Sequence, residues 1–213
     1  MSGRITALEP QKHSSERVNV YLDGEFAFGL ALSAAVSLHL GETLTDPEIA
    51  ALKATDEVER AREKALNYLS YRPRSEAEVR RYLEEREFSP QTVDEVIERL
   101  CQVGLIDDDA FARFWVENRS RFRPRGERAL AQELRQHGIA PAVITKALGD
   151  YDAVAAAETY AREQARRLAG LPPEQFRRRL AERLARRGFA YDLIEDLLTR
   201  YASPDAINLE IEE

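Results

Sequence analysis

A single cysteine, Cys101, leaves this 213-residue chain no intrachain disulfide and points to a reducing compartment. Its three histidines, His13, His39 and His137, lie far apart and share neither a cysteine spacing nor an HExxH pattern, so the sequence implies no metal and no cofactor. There is no P-loop, no GxGxxG following a strand and no GxSxG elbow, and no histidine is paired with a nucleophile. The chain therefore reads as a binding protein rather than an enzyme. Long hydrophobic runs are missing too. The longest apolar stretch, Phe26 to Leu40, is broken by Ser33, Ser37 and His39, is too short to span a bilayer, and follows an acidic segment unlike a signal peptide. These absences predict a soluble, cytoplasmic protein with no membrane partner.

What is present is a repeat. Apolar residues make up 44% of the chain, enough for a core and too many for wholesale disorder. Tyr71-Arg72-Pro73-Arg74-Ser75 returns as Phe122-Arg123-Pro124-Arg125-Gly126, fifty-one positions on. The apolar residues that follow keep one register. Val79, Leu83, Phe88 and Ile97 are spaced four, five and nine, as are Leu130, Leu134, Ile139 and Leu148, and again Leu180, Leu184, Phe189 and Leu198. In the third copy the linker is Leu171-Pro172-Pro173-Glu174. Self-similarity at this period is the signature of one supersecondary unit used several times. The expected fold is mainly α: three tandem three-helix repeats forming an elongated, curved array behind a small β-hairpin segment. The corresponding division is 1–57 for the hairpin and short helices, 58–107, 108–150 and 151–202 for the repeats, and 203–213 for an acidic tail.

Within the first segment, Arg17 to Leu22 and Glu25 to Leu30 alternate apolar and polar residues around Asp23-Gly24, a strong two-residue hairpin signal. Ile5 to Leu8 is a candidate third strand, and Ser33 to Leu40 seeds a helix. Thr45 and Glu48, with Pro47 between them, resemble a capping box. The first repeat resolves into helices over Val58–Ser70, Glu76–Glu87 and Pro90–Val103, with Ser75 and Glu78 as a second capping box. Pro73 ends the preceding helix by biasing Arg72 away from the α region, and the linker arginines complement that helix's C-terminal dipole. Gly126 takes the cap position in the second copy, and Pro173 suits a first turn. Asp107, Asp108 and Asp109 read as N-caps rather than metal or acid–base carboxylates. Phe111, Phe114, Trp115 and Phe122 form a stripe at helical spacing, expected to be core. Cys101, among Val96, Ile97, Leu100 and Val103, is expected to be a buried thiol.

Charge carries the functional signal. With 31 basic and 38 acidic residues the net charge is −7, an unusual balance for a nucleic-acid binder. The distribution is uneven: residues 1–57 hold four basic and nine acidic residues, and 203–213 hold four acidic and no basic ones. Residues 108–202 carry eighteen basic against fourteen acidic. Arginine is crowded at the linkers and along one helix of the third repeat. Its planar fork binds two oxygens of a carboxylate or phosphate at once. The candidate partner-binding residues are Arg72, Arg74, Arg119, Arg121, Arg123, Arg125, Arg128, Arg177, Arg178, Arg183, Arg186 and Arg187, set against the alternative of a solvated, internally paired helical face.

The hairpin Val18 to Phe26, the linker Arg72-Pro73-Arg74-Ser75-Glu76, Gly104-Leu105-Ile106-Asp107-Asp108, the Phe111-Ala112 pair with Trp115, and the triple repeat together resemble the RecX family. The resemblance spans residues 4 to 202 in order. It implies a regulator that binds the RecA recombinase filament on single-stranded DNA and usually inhibits it, limiting filament extension, ATP hydrolysis and strand exchange. It brings no catalytic residues. Polar outer faces suit a monomer, with at most weak direct DNA contact. The alternative is a direct DNA-binding regulator, since tri-helical units can present helix-turn-helix geometry.

Overall fold

A computed structural model of the chain describes residues 2–12 and 14–201. The acidic tail and His13 lie outside the described residues. In chain order the elements are β1 (Gly3–Gln11), β2 (Ser14–Leu22), β3 (Glu25–Ala31), α1 (Leu32–Ala35), β4 (Thr43–Leu44), α2 (Asp46–Ser70), α3 (Glu76–Glu84), α4 (Pro90–Gln102), α5 (Asp108–Phe122), α6 (Glu127–Gln136), α7 (Pro141–Gly149), α8 (Ala153–Leu168), α9 (Pro173–Arg186) and α10 (Tyr191–Arg200). They fall into two compact units. One comprises residues 1–74 and 78–106, the other 75–77 and 107 onward.

The first unit opens with an antiparallel sheet of order β3-β2-β1-β4. Asp23 and Gly24 both have positive φ, 51° and 90°, the backbone of the primed turns whose twist matches the flanking strands. The expected third strand is present as β1. The expected helix over Ser33–Leu40 is not: α1 stops at Ala35. The chain instead turns back, Gly41 with φ 87°, so that Gly41 N–H donates to the Ile5 carbonyl and Ile5 N–H to the Glu42 carbonyl, both at 2.8 Å. Strand pairing won over a short helix that few contacts would support. Ile5, Val20, Phe28, Leu30 and Leu44 pack on Ile49 of α2. Buried Asp56 ties the sheet to this helix by accepting from Arg17 Nη2 and from the Ala31 amide, each at 2.9 Å.

α2 itself is one continuous helix. The helix expected from Val58 begins at Asp46, twelve residues earlier, where the Thr45 amide and hydroxyl both donate to the Glu48 carboxylate at 2.8 and 2.7 Å. Nothing from Ile49 to Ser70 is glycine or proline, so no residue interrupts it. Its first half serves the sheet; Val58, Ala61 and Ala65 in its second half join Val79, Leu83, Val93, Val96, Ile97, Leu100 and Ile106 in a three-helix core with α3 and α4. Cys101 is exposed, contrary to expectation. The inward stripe of α4 runs Val93, Val96, Ile97, Leu100, and one residue further the helix has rotated by about 100° and is ending, which turns Cys101, and beyond it Val103, outward.

The second unit holds two further three-helix cores. Phe111, Ala112, Val116, Leu130, Ala131, Leu134, Ile139 and Ile144 form that of α5–α7. Phe176, Leu180, Leu184, Phe189, Ile194 and Leu198, with the small face of α8, form that of α8–α10. Of the twelve apolar positions in the repeated register, all but Phe88 and Leu148 are buried, and those two are partly buried against their cores. Two members of the aromatic stripe are not core: Phe114 is 44% and Phe122 66% exposed. α5 buries the Phe111–Ala112–Trp115 side, and positions three from Phe111 and at the helix end fall outside it. Residues 75–77 also belong to this unit: the buried Ser75 hydroxyl donates to the His137 carbonyl at 2.6 Å, and Asp108 accepts from the Glu76 amide at 2.9 Å.

Gly126 does more than cap α6. Its amide donates to the Arg187 carbonyl at 2.9 Å, and a Cβ placed on it would lie 1.9 Å from the Gly188 carbonyl oxygen. Tyr151, which packs on both helical cores of this unit, donates its hydroxyl to the Arg125 carbonyl at 2.5 Å. Because the obstructing atoms are backbone, Gly126→Ala must push these two modules apart. Urea unfolding of the variant is expected to show a loss of about 3 kcal/mol, well above that of an ordinary exposed Gly→Ala change at a helix N-cap.

Candidate partner-binding surface

The arginines that the sequence singles out divide into two classes once their surroundings are seen. In the first linker, Arg72 holds Glu78 through Nη2 at 2.7 Å, and its Nη1 also reaches the Pro73 carbonyl at 3.0 Å. Arg74, with 14% of its side chain exposed, lies 3.7 Å from the same carboxylate and stacks over Tyr68 at 3.9 Å from the ring centroid. Tyr68 in turn stacks on Tyr82 at 3.9 Å with planes 8° apart, and Arg86 covers the far side of Tyr82 at 3.5 Å. The result is a four-layer cation–ring–ring–cation pile within the first unit. Each contact is of the order of 0.5–2 kcal/mol. Arg74 is structural.

The second linker repeats this use of arginine. Glu133 on α6 accepts from Trp115 Nε1 and Arg119 Nε, each at 2.8 Å, and Arg125 Nε lies 2.8 Å from its other oxygen. The Arg125 contact is an ion pair rather than an aligned hydrogen bond, since that N–H finds no acceptor. Arg119 also stacks over Trp115 at 4.2 Å. Burial pushes the Glu133 carboxyl up, but the Arg119 and Trp115 hydrogen bonds and the two guanidinium charges outweigh it, holding the group below its ordinary value of 4.5. Arg119 and Arg125 thus belong to the fold. Arg121, Arg123 and Arg128 stay exposed. Arg121 merely rests over the exposed ring of Phe122 at 5.4 Å, and none of the three has an ion-pair partner among the described residues.

In the third repeat, Arg183 donates to buried Gln164 at 2.6 Å and Arg187 stacks over Tyr160 at 4.9 Å, both inside the module. Arg177 pairs with Glu195 at 3.2 Å, and Arg178 and Arg186 share Glu182 at 4.0 and 3.6 Å. The side chains in these pairs are 43–77% exposed and the pairs contribute little stability, so an external anion can compete for them. The neighbouring Arg179 is exposed and unpaired among the described residues; charge counting alone did not distinguish it from its paired neighbours.

The three aspartates do three separate jobs. Asp107 caps α5 by accepting from the Ala110 amide at 2.9 Å, Asp108 receives the Glu76 amide, and Asp109 pairs with Lys146 at 2.7 Å. Among the described residues no cluster of His, Cys, Asp or Glu has the makings of a metal site, and no helix is long and apolar enough to cross a membrane. An open cleft of about 630 Å³ beside α5 and α7 has walls of mixed charge, including Asp109, Arg113, Glu117 and Lys146. It contains no pairing of nucleophile and base.

Four family models match consecutive stretches of the chain: the regulatory protein RecX N-terminal domain over residues 3–44, and the first, second and third RecX three-helix domains over 61–100, 107–148 and 150–198. The chain belongs to the RecX family. It is similar to the regulatory protein RecX of Bacillus licheniformis, with 31% identity covering 97% of this chain and 81% of the relative. The RecX of Bacillus subtilis is 32% identical, covering 98% and 79%. A crystal structure of regulatory protein RecX superposes with a TM-score of 0.71 at 30% identity, covering 92% of this chain and 98% of that one. The RecX structure from Lactobacillus salivarius gives 0.62 at 26% identity, covering 68% and 97%. The family is one of regulatory proteins, and the fold is the mostly helical one, three three-helix domains behind a small strand segment, that its members share.

The Glu133 cluster makes a specific claim for this RecX-family chain. Because the folded carboxyl titrates below its unfolded value, its contribution is complete above about pH 5 and is lost as pH falls through the depressed value. Glu133→Gln is expected to cost about 1–3 kcal/mol at pH 7, with the difference from the unaltered chain shrinking below pH 4.5, as measured by urea unfolding across pH.

Proposed function

We propose that this protein binds the filament formed by the RecA recombinase on single-stranded DNA and restrains it, limiting extension and lowering ATP hydrolysis and strand exchange. It would thereby act in the cytoplasm as a regulator of DNA recombination, repair and the SOS response. The working modules are the three-helix repeats 58–107, 108–150 and 151–202. Membership of a regulatory family along almost the whole chain supports this reading. The observation that carries it to particular residues is that Arg121, Arg123 and Arg128 are left exposed and unpaired while their neighbours Arg119 and Arg125 are consumed by Glu133. Arg178, Arg179 and Arg186 extend the same chemistry to the third repeat. Exposed guanidinium groups suit carboxylate-rich protein surface or phosphate, and several weak contacts on one chain combine through avidity.

The test adds purified protein to RecA on single-stranded DNA and follows ATP hydrolysis, with naked-DNA binding measured alongside. Inhibition is expected at levels too low to coat the DNA. Replacing Arg121, Arg123 and Arg128 together by glutamate is expected to weaken inhibition at least tenfold and to flatten its salt dependence. Unchanged ATP hydrolysis overturns the reading, and tight, salt-sensitive binding to naked DNA without any effect on RecA points instead to a direct DNA-binding regulator.

A further inference from the structure

On the first unit, a groove of about 520 Å³ opens between the sheet and α2. Asp56 fixes its position: by accepting from the Ala31 amide it holds the start of α1 against α2. Leu32 and Val36, one helical turn apart, form an apolar wall. They are 48% and 76% exposed, although they follow directly on β3, whose Phe28 and Leu30 are buried. A lone exposed apolar side chain is ordinary, but two side by side in a concave site keep in water a surface that a partner can cover.

The charges around the groove do not balance. Arg17 is taken by Asp56 at 2.9 Å, and Arg62 by Glu59 at 3.0 Å, which also lies 3.7 Å from Arg99. Glu16 on β2 and Glu63 on α2 line the same groove, are exposed, and have no ion-pair partner among the described residues. Asp56 and Glu63 are seven residues apart on one helix, so Glu63 stands on the same face as Asp56, about 10 Å further along. The groove thus sets an exposed apolar wall beside two uncompensated negative charges. Its sign is opposite to that of the exposed arginines in the second unit.

We propose that this groove docks a protein segment of basic and apolar composition, an apolar side chain lying against Leu32 and Val36 and flanking lysine or arginine reaching Glu16 and Glu63. Long cationic side chains suit the arrangement, because their methylene stems lie along apolar surface while their charged ends reach the carboxylates. Nucleic acid is the wrong occupant, since its phosphates meet carboxylates of like sign. Exposed ion pairs add little affinity each, so the apolar wall holds the segment and the carboxylates select its sign. The site stands on the groove alone and does not depend on the filament reading. A partner that meets both this groove and the exposed arginines needs surface of both signs, which a protein has and nucleic acid lacks.

A peptide titration of the intact chain tests the site. The probe is a capped synthetic peptide alternating three lysines with two leucines, followed by amide NMR of the isotope-labelled protein; one control peptide carries glycine for leucine and another glutamate for lysine. The probe is expected to shift the amides of Leu32, Val36 and Glu63 and to bind at least fivefold more tightly than either control. Glu16→Lys with Glu63→Lys is expected to weaken it at least fivefold, and Val36→Ser at least twofold, folding being verified by circular dichroism. Glu84→Lys with Glu85→Lys makes the same change of net charge at exposed carboxylates outside the groove, and is expected to leave binding within twofold. Equal loss from the two double variants overturns the proposal, because it reduces binding to the overall charge of −7. Equal binding of the glycine peptide overturns it too, as do shifts confined to other parts of the chain. So does self-association that rises with concentration and is abolished by the Glu16 and Glu63 changes, which assigns the groove to a second copy. No RecA is present in the titration, so its failure leaves the filament-binding reading untouched, and a failed ATP-hydrolysis test leaves this site untouched.

Discussion

The amide of Gly126 can reach the carbonyl of Arg187 only because neither Gly126 nor Gly188 carries a side chain, and much of the second unit follows from that close approach. A three-helix module of about fifty residues buries too little surface to be robust alone. Joining modules through backbone, with Tyr151 shared between their cores, adds the missing contacts without demanding a large apolar interface. The constraint also accounts for the aromatic-Arg-Pro-Arg element that marks the repeat. Its proline ends one helix and its last residue starts the next, while its glycine in the second copy is set by contact distance as well as by its place at the N-cap of α6.

Electrostatics is layered on this frame. Arginine is abundant, and part of it is taken up inside the modules: Arg74 in the tyrosine pile, Arg119 and Arg125 on Glu133, Arg183 on Gln164, Arg187 over Tyr160. The arginines left exposed and without an ion-pair partner among the described residues are a smaller set, Arg121, Arg123, Arg128 and Arg179 among them, and they sit next to structural arginines in sequence. The helical cores hold the helices that present these side chains.

Several expectations failed for reasons that share a cause. Cys101 and Phe122 lie where a helix is ending, and Phe114 sits off the buried stripe by one helical step, so counting apolar neighbours along the sequence overestimated their burial. The helix expected over Ser33–Leu40 lost to β4 pairing with β1, a contact between residues about forty positions apart. α2 begins early because an uninterrupted helical pattern serves two different cores in succession, which a search for one repeat per core divides artificially.

The repeated four, five and nine spacing was enough to define three modules, because burial along a helix depends on a local period of 3.6 residues and the same period recurs in each copy. The Asp23-Gly24 turn was legible for a similar reason: its backbone demand is satisfied by the two residues themselves. Which arginines are free was not legible. Arg119 meets Glu133 fourteen residues away and Arg187 meets Tyr160 twenty-seven away, so the answer depends on how helices pack. Local periodicity determined the architecture, and only tertiary packing decided which charges the architecture uses and which it leaves exposed.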